Sequence, residues 1–393
     1  KNAGSAAITT GAGGAWRIHT GNPTDTNRGG LVEAGKRYNV DDGSDPIASD
    51  NRMYFRIQPI LTLTADNKIK TYGAANPAFT YSYSGLIDSD LINAAISSGP
   101  GYTVDGTTST SGQLTAATLH NITPSAATAA NLGYSLSYAS GTLTVNKRAL
   151  TIAATGTNKV YDTDATATVN YWDNRVAGDL LTIGGTAAFL DKNIGTGKTV
   201  NVSAITLGNT DAGNYTFNTS ASTSADITAA NLEVTGVTAS NKIYDGNTDA
   251  TLGGTAAISA LGGDTVTLGG TGSGVFTDKN VANNKAVIVS GYTISGDDAT
   301  NYALLQPAGL TADITARPLT ISATGLAKVY DGTTAATVTY GDTRVAGDLL
   351  TITGTATYLD KNVGTDKPVN VSTITLSNVD AGNYTFNTTA DTV

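Results

Sequence analysis

The sequence predicts an all-β chain in which small β-sandwich modules follow one another in tandem and form a rod. Three observations carry that reading. A block of about 85 residues occurs three times. Apolar and polar residues alternate along short segments of each block. The composition is rich in turn formers and poor in charge, with 45 glycines and only 14% charged residues among 393.

The repeat is read from its landmarks. Lys-Val-Tyr-Asp stands at 159–162 and 328–331, with Lys-Ile-Tyr-Asp at 242–245 between them. Asp-Lys-Asn recurs at 191–193, 278–280 and 360–362, each with a lysine seven residues after the Asp: Lys198, Lys285 and Lys367. Asp-Ala-Gly-Asn-Tyr stands at 211–215 and 380–384, and the looser Asp-Asp-Ala-Thr-Asn-Tyr at 297–302. The first and third copies align without a gap, with 54 of 77 positions identical from Arg148 and Arg317 onward. The middle copy is more divergent, and alternating similar with dissimilar neighbours limits misfolding between them.

Within repeat 1 the alternation predicts strands at 149–154, 157–161, 166–171, 179–189, 198–207, 214–219 and 224–228. Seven strands in so short a block suit an immunoglobulin-like sandwich. Asp211-Ala212-Gly213-Asn214-Tyr215-Thr216-Phe217 reads as a tyrosine corner, in which the buried Tyr215 hydroxyl bonds back to the backbone of the preceding loop. Phe217 then takes a core position, and Tyr302 and Tyr384 serve as Tyr215 does.

The boundaries follow from this register. Residues 1–57 lack the repeat and read as a β-helix end or transition segment, residues 58–147 as a cousin module, 148–228 as repeat 1, 229–315 as repeat 2 and 316–393 as a truncated repeat 3. In the cousin module Lys68-Ile69-Lys70-Thr71-Tyr72-Gly73 replaces the Lys-Val-Tyr-Asp signal. A run around 113–131 reads as helix or strand, which leaves a β-grasp open there as well as a sandwich. Almost no linker separates the modules, so they should hold a semi-rigid line. The chain opens at Lys1 without an initiator Met, and Val393 aligns with Ser224, just before a closing strand; it reads as a piece of a larger parent.

The chemistry is sparse. There is no cysteine, hence no disulfide and no thiolate catalysis. The two histidines, His19 and His120, lie in different modules without repeated counterparts, which argues against a Ser-His-Asp site. The repeated Asp162, Asp191 and Asp211 sit in turn-like contexts that suit Asx capping. No enzyme activity and no cofactor are expected. Calcium is the one ion that the carboxylates admit, at Asp41-Asp42-Gly43-Ser44-Asp45 or Gly296-Asp297-Asp298. A Lys–Asn isopeptide between Lys159, Lys242 or Lys328 and Asn214, Asn301 or Asn383 is conceivable, but an ion pair of each lysine with its adjacent Asp is the simpler reading. A formal charge of −9 without long runs argues against nucleic acid, and no segment is apolar over the length of a membrane span. The residues set apart as structural signatures are Tyr161 and Asp162, Tyr244 and Asp245, Tyr330 and Asp331, with Tyr215, Tyr302 and Tyr384.

Tyr-Asp-Gly at 244–246 and 330–332, with Asp-Lys-Asn-Val-Gly at 360–364 and Asp-Ala-Gly-Asn-Tyr at 380–384, resembles the YDG-type repeats of large bacterial surface proteins. Lys-Thr-Tyr-Gly-x-x-Asn-Pro at 70–77 resembles the companion MBG-type module. Trp16-Arg17-Ile18-His19-Thr20-Gly21-Asn22-Pro23, with Arg28-Gly29-Gly30-Leu31, resembles the segment that ends the β-helix of filamentous-haemagglutinin-like adhesins. The resemblance implies a two-partner-secreted exoprotein of a Gram-negative cell surface or biofilm matrix, exported through an outer-membrane partner. It implies a stalk that serves attachment, aggregation or matrix cohesion. The parent would meet extracellular polysaccharide or a host or neighbouring cell. The alternative is that the modules bind polysaccharide themselves. Repeat 1 departs from the pattern at Thr163, where the glycine of the motif falls, and a different or strained turn is expected there.

Overall fold

The computed structural model describes residues 14–26, 28, 31–40 and 51–392. It is almost wholly β, and the chain divides into two compact units. One holds residues up to 156 with 169–188 and 200–223; the other holds 157–168, 189–199 and 224–393.

In the first unit three short strands, Arg17–Thr20, Gly35–Arg37 and Arg52–Phe55, pair in parallel with the last in the middle. Trp16, Tyr38, Met53 and Phe55 form one core with Leu61, Leu63, Ala95, Ile96 and Tyr134 of the next module. The carboxylates at 41–45 lie outside the described residues.

That next module holds two larger sheets and a two-stranded ribbon of Ile96–Ser98 with Thr128–Ala129. Ile60–Ala65 lies between Ser135–Ala139, parallel to it, and Tyr81–Ser84, antiparallel. Gly141–Asn146 lies between Lys68–Thr71, parallel, and Leu119–Ser125, which in turn pairs with Gly101–Asp105. The ambiguous run at 113–131 resolves as strand over Leu119–Ser125. The module's helix is the four-residue turn Ile92–Ala95, too short to cover a sheet as a β-grasp helix would. Leu143 and Val145 are buried while their neighbours are less so, the period of two that one wet and one dry face demand.

The repeats share that plan. In repeat 2 the opening strand Ala230–Glu233 runs parallel to Tyr302–Leu305, and in repeat 3 Arg317–Leu319 runs parallel to Tyr384–Phe386. The main sheet of repeat 2 pairs Thr267–Phe276 with Ala282–Ser295, and the latter with the closing strand Thr311–Thr315. Thr235–Ala239 and Leu252–Ala257 form the facing ribbon, so that Ala239 and Leu252 pack on a core that includes Phe276, Val287 and Val289. In repeat 1 the strands fall at Arg148–Leu150, Ile152–Thr157, Lys159–Val160, Thr168–Asp173, Thr182–Phe189, Gly195–Gly208, Tyr215–Phe217 and Ala221–Thr228. A break at Thr151 splits the expected first strand in two. A single residue separates Asn146 from Arg148, Thr228 from Ala230 and Thr315 from Arg317, each pair the end of one strand and the start of the next.

The turn after Tyr-Asp explains the expected anomaly at Thr163. Gly246 and Gly332 take φ of +84° and +77°, and Thr163 takes +77° in the same place. A β-branched residue there is a steric outlier. Relief of roughly 1–2 kcal/mol of left-handed strain outweighs the roughly 0.5–1 kcal/mol that glycine loses in chain entropy. Thr163→Gly is therefore expected to stabilise the fold by about 0.5–1 kcal/mol, read as a higher urea midpoint; an unchanged or lower midpoint counts against the strain.

Candidate functional site: the joint between modules

The repeated signatures meet where one module ends and the next begins. Each of the three repeats has a tail face, built by its Tyr-Asp turn and its Asp-Lys-Asn turn. Each also has a head face, built by a loop ending in Asp and by the short 3-10 turn before Asn-Tyr. At the joint from repeat 2 to repeat 3 the Tyr244 hydroxyl donates to Asp348 Oδ2 at 2.9 Å, and the Tyr384 hydroxyl donates to the same oxygen at 2.6 Å. Lys279 Nζ reaches the other oxygen of Asp348 at 3.0 Å and Asp380 at 2.9 Å. The Val281 amide donates to Asn383 Oδ1 at 2.8 Å.

The joint from repeat 1 to repeat 2 reproduces this arrangement. Tyr161 and Tyr302 donate to Asp264 Oδ2 at 2.8 and 2.7 Å, Lys192 bridges Asp264 and Asp298 at 2.8 and 2.9 Å, and the Ile194 amide donates to Asn301 at 3.0 Å. Two joints in the first unit follow suit. Tyr72 and Tyr215 share Asp179, and Tyr38 and Tyr134 share Asp90. Lys36 again sits on the carboxylate of Asp90, at 2.6 Å. Among the described residues no lysine pairs with Asp179; Thr110 binds Asp211 instead, and the Ala116 amide donates to Asn214 at 2.7 Å.

The ring pairs are as regular as the bonds. Tyr38–Tyr134, Tyr72–Tyr215, Tyr161–Tyr302 and Tyr244–Tyr384 meet edge to face with centroids 5.2, 5.3, 5.5 and 5.5 Å apart. Such pairs contribute roughly 0.5–1.5 kcal/mol beyond burial. The apolar core runs through the joint as well. Tyr244, Val287 and Ile314 of repeat 2 share one cluster with Leu319, Ile321, Val369 and Tyr384 of repeat 3. In the first unit Tyr72, Ile122 and Val145 share another with Leu150, Ile152, Val202 and Tyr215.

Local sequence sets each piece. The residue before the shared carboxylate is Gly178, Gly263 or Gly347 in the three repeats, at φ of +93°, +92° and +93°, and Ser89 before Asp90 is also left-handed, at +55°. That left-handed step turns the loop so that the Asp faces the tyrosines, and glycine takes it without steric cost. The tyrosine then accepts a hydrogen bond from the same loop: the Val176 amide reaches the Tyr215 hydroxyl at 2.8 Å and the Val345 amide that of Tyr384 at 2.8 Å. The tyrosine-corner reading is corrected accordingly. The hydroxyl binds backbone, but on a loop 39 residues upstream rather than on the adjacent turn.

The Asp of the Tyr-Asp signal has a local role. Asp162, Asp245 and Asp331 pair with Lys159, Lys242 and Lys328 at 2.6, 2.7 and 2.9 Å and cap their own turns. Lys242 and Lys328 bond within their own turns, and the side chains of Asn301 and Asn383 are engaged at the joints. Asp191 caps a turn, whereas Asp211 is buried and ties Leu180 to Thr110. Asp298, part of the second calcium candidate, is engaged by Lys192. Among the described residues no group of three or more His, Asp and Glu is placed to hold a metal. Tyr330 alone of the signature tyrosines is exposed.

A model of the YDG domain matches residues 146–225, 228–310 and 315–392, more than half of the chain, and a model of the MBG domain (YGX type) matches 61–144. The chain belongs to the YDG domain family. A comparison with curated proteins finds no match. Among solved structures the chain is similar to the I9–I11 tandem of titin, at 10% identity over 64% of this chain and 98% of that one, with a TM-score of 0.15. It is also similar to Drosophila N-cadherin EC1-4, at 7% identity over 84% and 98%, with a TM-score of 0.17. Neither superposition decides the fold, which rests on the strand pairing above.

Charge at the YDG joints sets a pH window. Burial works to raise the Asp264 and Asp348 carboxyls, but their lysine and two tyrosine partners outweigh it and hold both below the ordinary range. Burial, reinforced by the carboxylate, pushes the phenols of Tyr302 and Tyr384 up to about 12. A depressed carboxyl contributes stability that is complete above its unfolded value near ~4 and lost as pH falls through its folded value. A raised phenol contributes stability that is complete below its unfolded value near ~10 and lost as pH rises through the folded one. Thermal stability of the protein is therefore expected to be flat between about pH 5 and 9 and to fall on both sides. In the variant Asp348→Asn the acid limb should flatten; an unaltered acid limb would count against the assignment.

Proposed function

We propose that the chain is a non-enzymatic stalk segment of a secreted cell-surface adhesin, serving attachment, aggregation or biofilm-matrix cohesion. The observation that carries this reading is the repeated joint. The most alike residues of successive modules are used to fix one module to the next and are hidden by doing so. Single-residue connections and apolar cores continuous across joints suit a part that transmits position and load. Recognition of polysaccharide, a host cell or a neighbouring cell then falls to the parent protein, exported through an outer-membrane partner and displayed on a Gram-negative surface. Among the described residues no helix is long and apolar enough to cross a membrane.

The second reading, that the modules bind polysaccharide, is favoured by exposed aromatic rings: Trp172 on the strand Thr168–Asp173 is 59% exposed, Tyr330 57% and Tyr83 47%. Sugar platforms need open aromatic faces, and Tyr161, Tyr215, Tyr244, Tyr302 and Tyr384 are buried. Glycan-array and matrix-polysaccharide pulldown on the chain separate the two readings. The stalk reading expects no specific capture. Capture that Trp172→Ala abolishes would replace it with the second reading.

A further inference from the structure

Repeat 3 carries a complete tail face that meets no head among the described residues. Tyr330 is 57% exposed, whereas Tyr161 and Tyr244, its equivalents, are 2% and 0% exposed. Lys361, Asn362 and Val363 occupy the positions of Lys192-Asn193-Ile194 and Lys279-Asn280-Val281. Lys361 makes no ion pair among the described residues, although both equivalents bridge two carboxylates. With Gly325, Leu326, Lys328 and Tyr358 these residues line a cavity of about 620 Å³.

The cavity has two parts. Its inner wall, near Leu326 and Lys328, corresponds in repeat 2 to the bed of the module's own closing strand, where Ile314 pairs with Lys242 and is fully buried. Its rim is Tyr330, Lys361, Asn362 and Val363. In both internal joints of the second unit the equivalent rim makes the same set of bonds. The phenol donates to a buried Asp, the lysine bridges that Asp and a second one, and the amide after Asn donates to an Asn side chain.

We propose that this rim is a docking surface for the head of another YDG module. The occupant is specified by its chemistry. It presents a Gly-Asp loop whose carboxylate accepts from Tyr330 and Lys361, a second carboxylate for Lys361, an Asn side chain that accepts from the Val363 amide, and a tyrosine to stand edge-on against Tyr330. Charge favours this pairing, since an unpaired lysine faces two carboxylates that need a cation. The inference rests on joint geometry and stands apart from the stalk reading, because a glycan-binding array would use the same joint.

The test extends the full chain after Val393 with copies of its own segments. One variant adds residues 225–228, which supply a closing strand alone; the other adds 225–315, a closing strand followed by a whole repeat 2. Nitration of Tyr330 by tetranitromethane, mapped by mass spectrometry, reports the state of the rim. Tyr330 should react readily in the parent chain and in the strand-only variant. It should react roughly tenfold more slowly when the module is appended. Asp264→Ala in the appended copy should restore the reactivity. Hydrogen exchange of the appended 282–295 strand shows whether that module folds. A folded appended module that leaves Tyr330 as reactive as before overturns the proposal, as does an appended module that stays unfolded beside a completed repeat 3. Full protection by the strand alone also overturns it, since the rim would then belong to the module's own closing strand.

Discussion

Replacing Asp348 by alanine is expected to destabilise the core shared by repeats 2 and 3 by about 3–5 kcal/mol. Asp348 is buried, accepts hydrogen bonds from Tyr244 and Tyr384, and neutralises Lys279. Its removal leaves the Tyr244 and Tyr384 hydroxyls with no acceptor and a lysine over the Tyr244 ring with one carboxylate instead of two. An unsatisfied buried donor costs roughly 1–3 kcal/mol by itself. The Tyr384 hydroxyl keeps the Val345 amide as a donor to it, and the Lys279 side chain is 35% exposed and can turn toward water, which places the expected value near the lower end. Asp348→Asn, which keeps shape and one acceptor, should lose about half as much. Urea unfolding followed by far-UV circular dichroism measures both variants. A shift of the midpoint equivalent to less than about 0.5 kcal/mol for the alanine variant is what an ordinary surface position would give, and would remove Asp348 from the centre of the joint.

The second large effect separates two residues that the sequence presents as equals. Tyr244→Ala is expected to cost about 3–5 kcal/mol, because a fully buried ring is exchanged for a cavity in a core that spans two modules. Tyr244→Phe keeps the ring and loses only the bond to Asp348, for about 1–2 kcal/mol. Tyr330→Ala, in the same Lys-x-Tyr-Asp signal, should stay within about 0.5 kcal/mol because that ring is mostly exposed. Equal losses at Tyr244 and Tyr330 would show that the signal tyrosine stabilises its own turn rather than the joint.

These two positions show what sequence reasoning reached and where it stopped. The repeat register, the strands, the turns after Asp162, Asp245 and Asp331, and the anomaly at Thr163 are all local, because a dihedral preference or an alternation of period two is written within a few residues. The shared carboxylates Asp179, Asp264 and Asp348 were not among the candidate residues, nor were Lys192 and Lys279. A signal for them existed. Gly-Asp recurs at 178–179, 263–264 and 347–348, in register with the rest of each repeat. What it did not disclose is the partner, since Tyr161 and Tyr244 reach a carboxylate 103 and 104 residues further on, in the next module. The helix-or-strand run at 113–131 was open for a related reason. Short apolar runs suit either state, and the pairing of Leu119–Ser125 with Gly141–Asn146 and Gly101–Asp105 chose the strand.

By itself, then, the sequence determined that this is a tandem array of all-β YDG modules with an MBG module before them. Periodicity, turn chemistry and repetition are properties of a chain read along its length. The tertiary structure decided what the repeated motifs are for. Tyr-Asp and Asn-Tyr, which read as parts of one module, are the two halves of a joint between modules. A buried tyrosine hydroxyl must find an acceptor, and the nearest one lies across the boundary, on a loop that a left-handed glycine turns to face it.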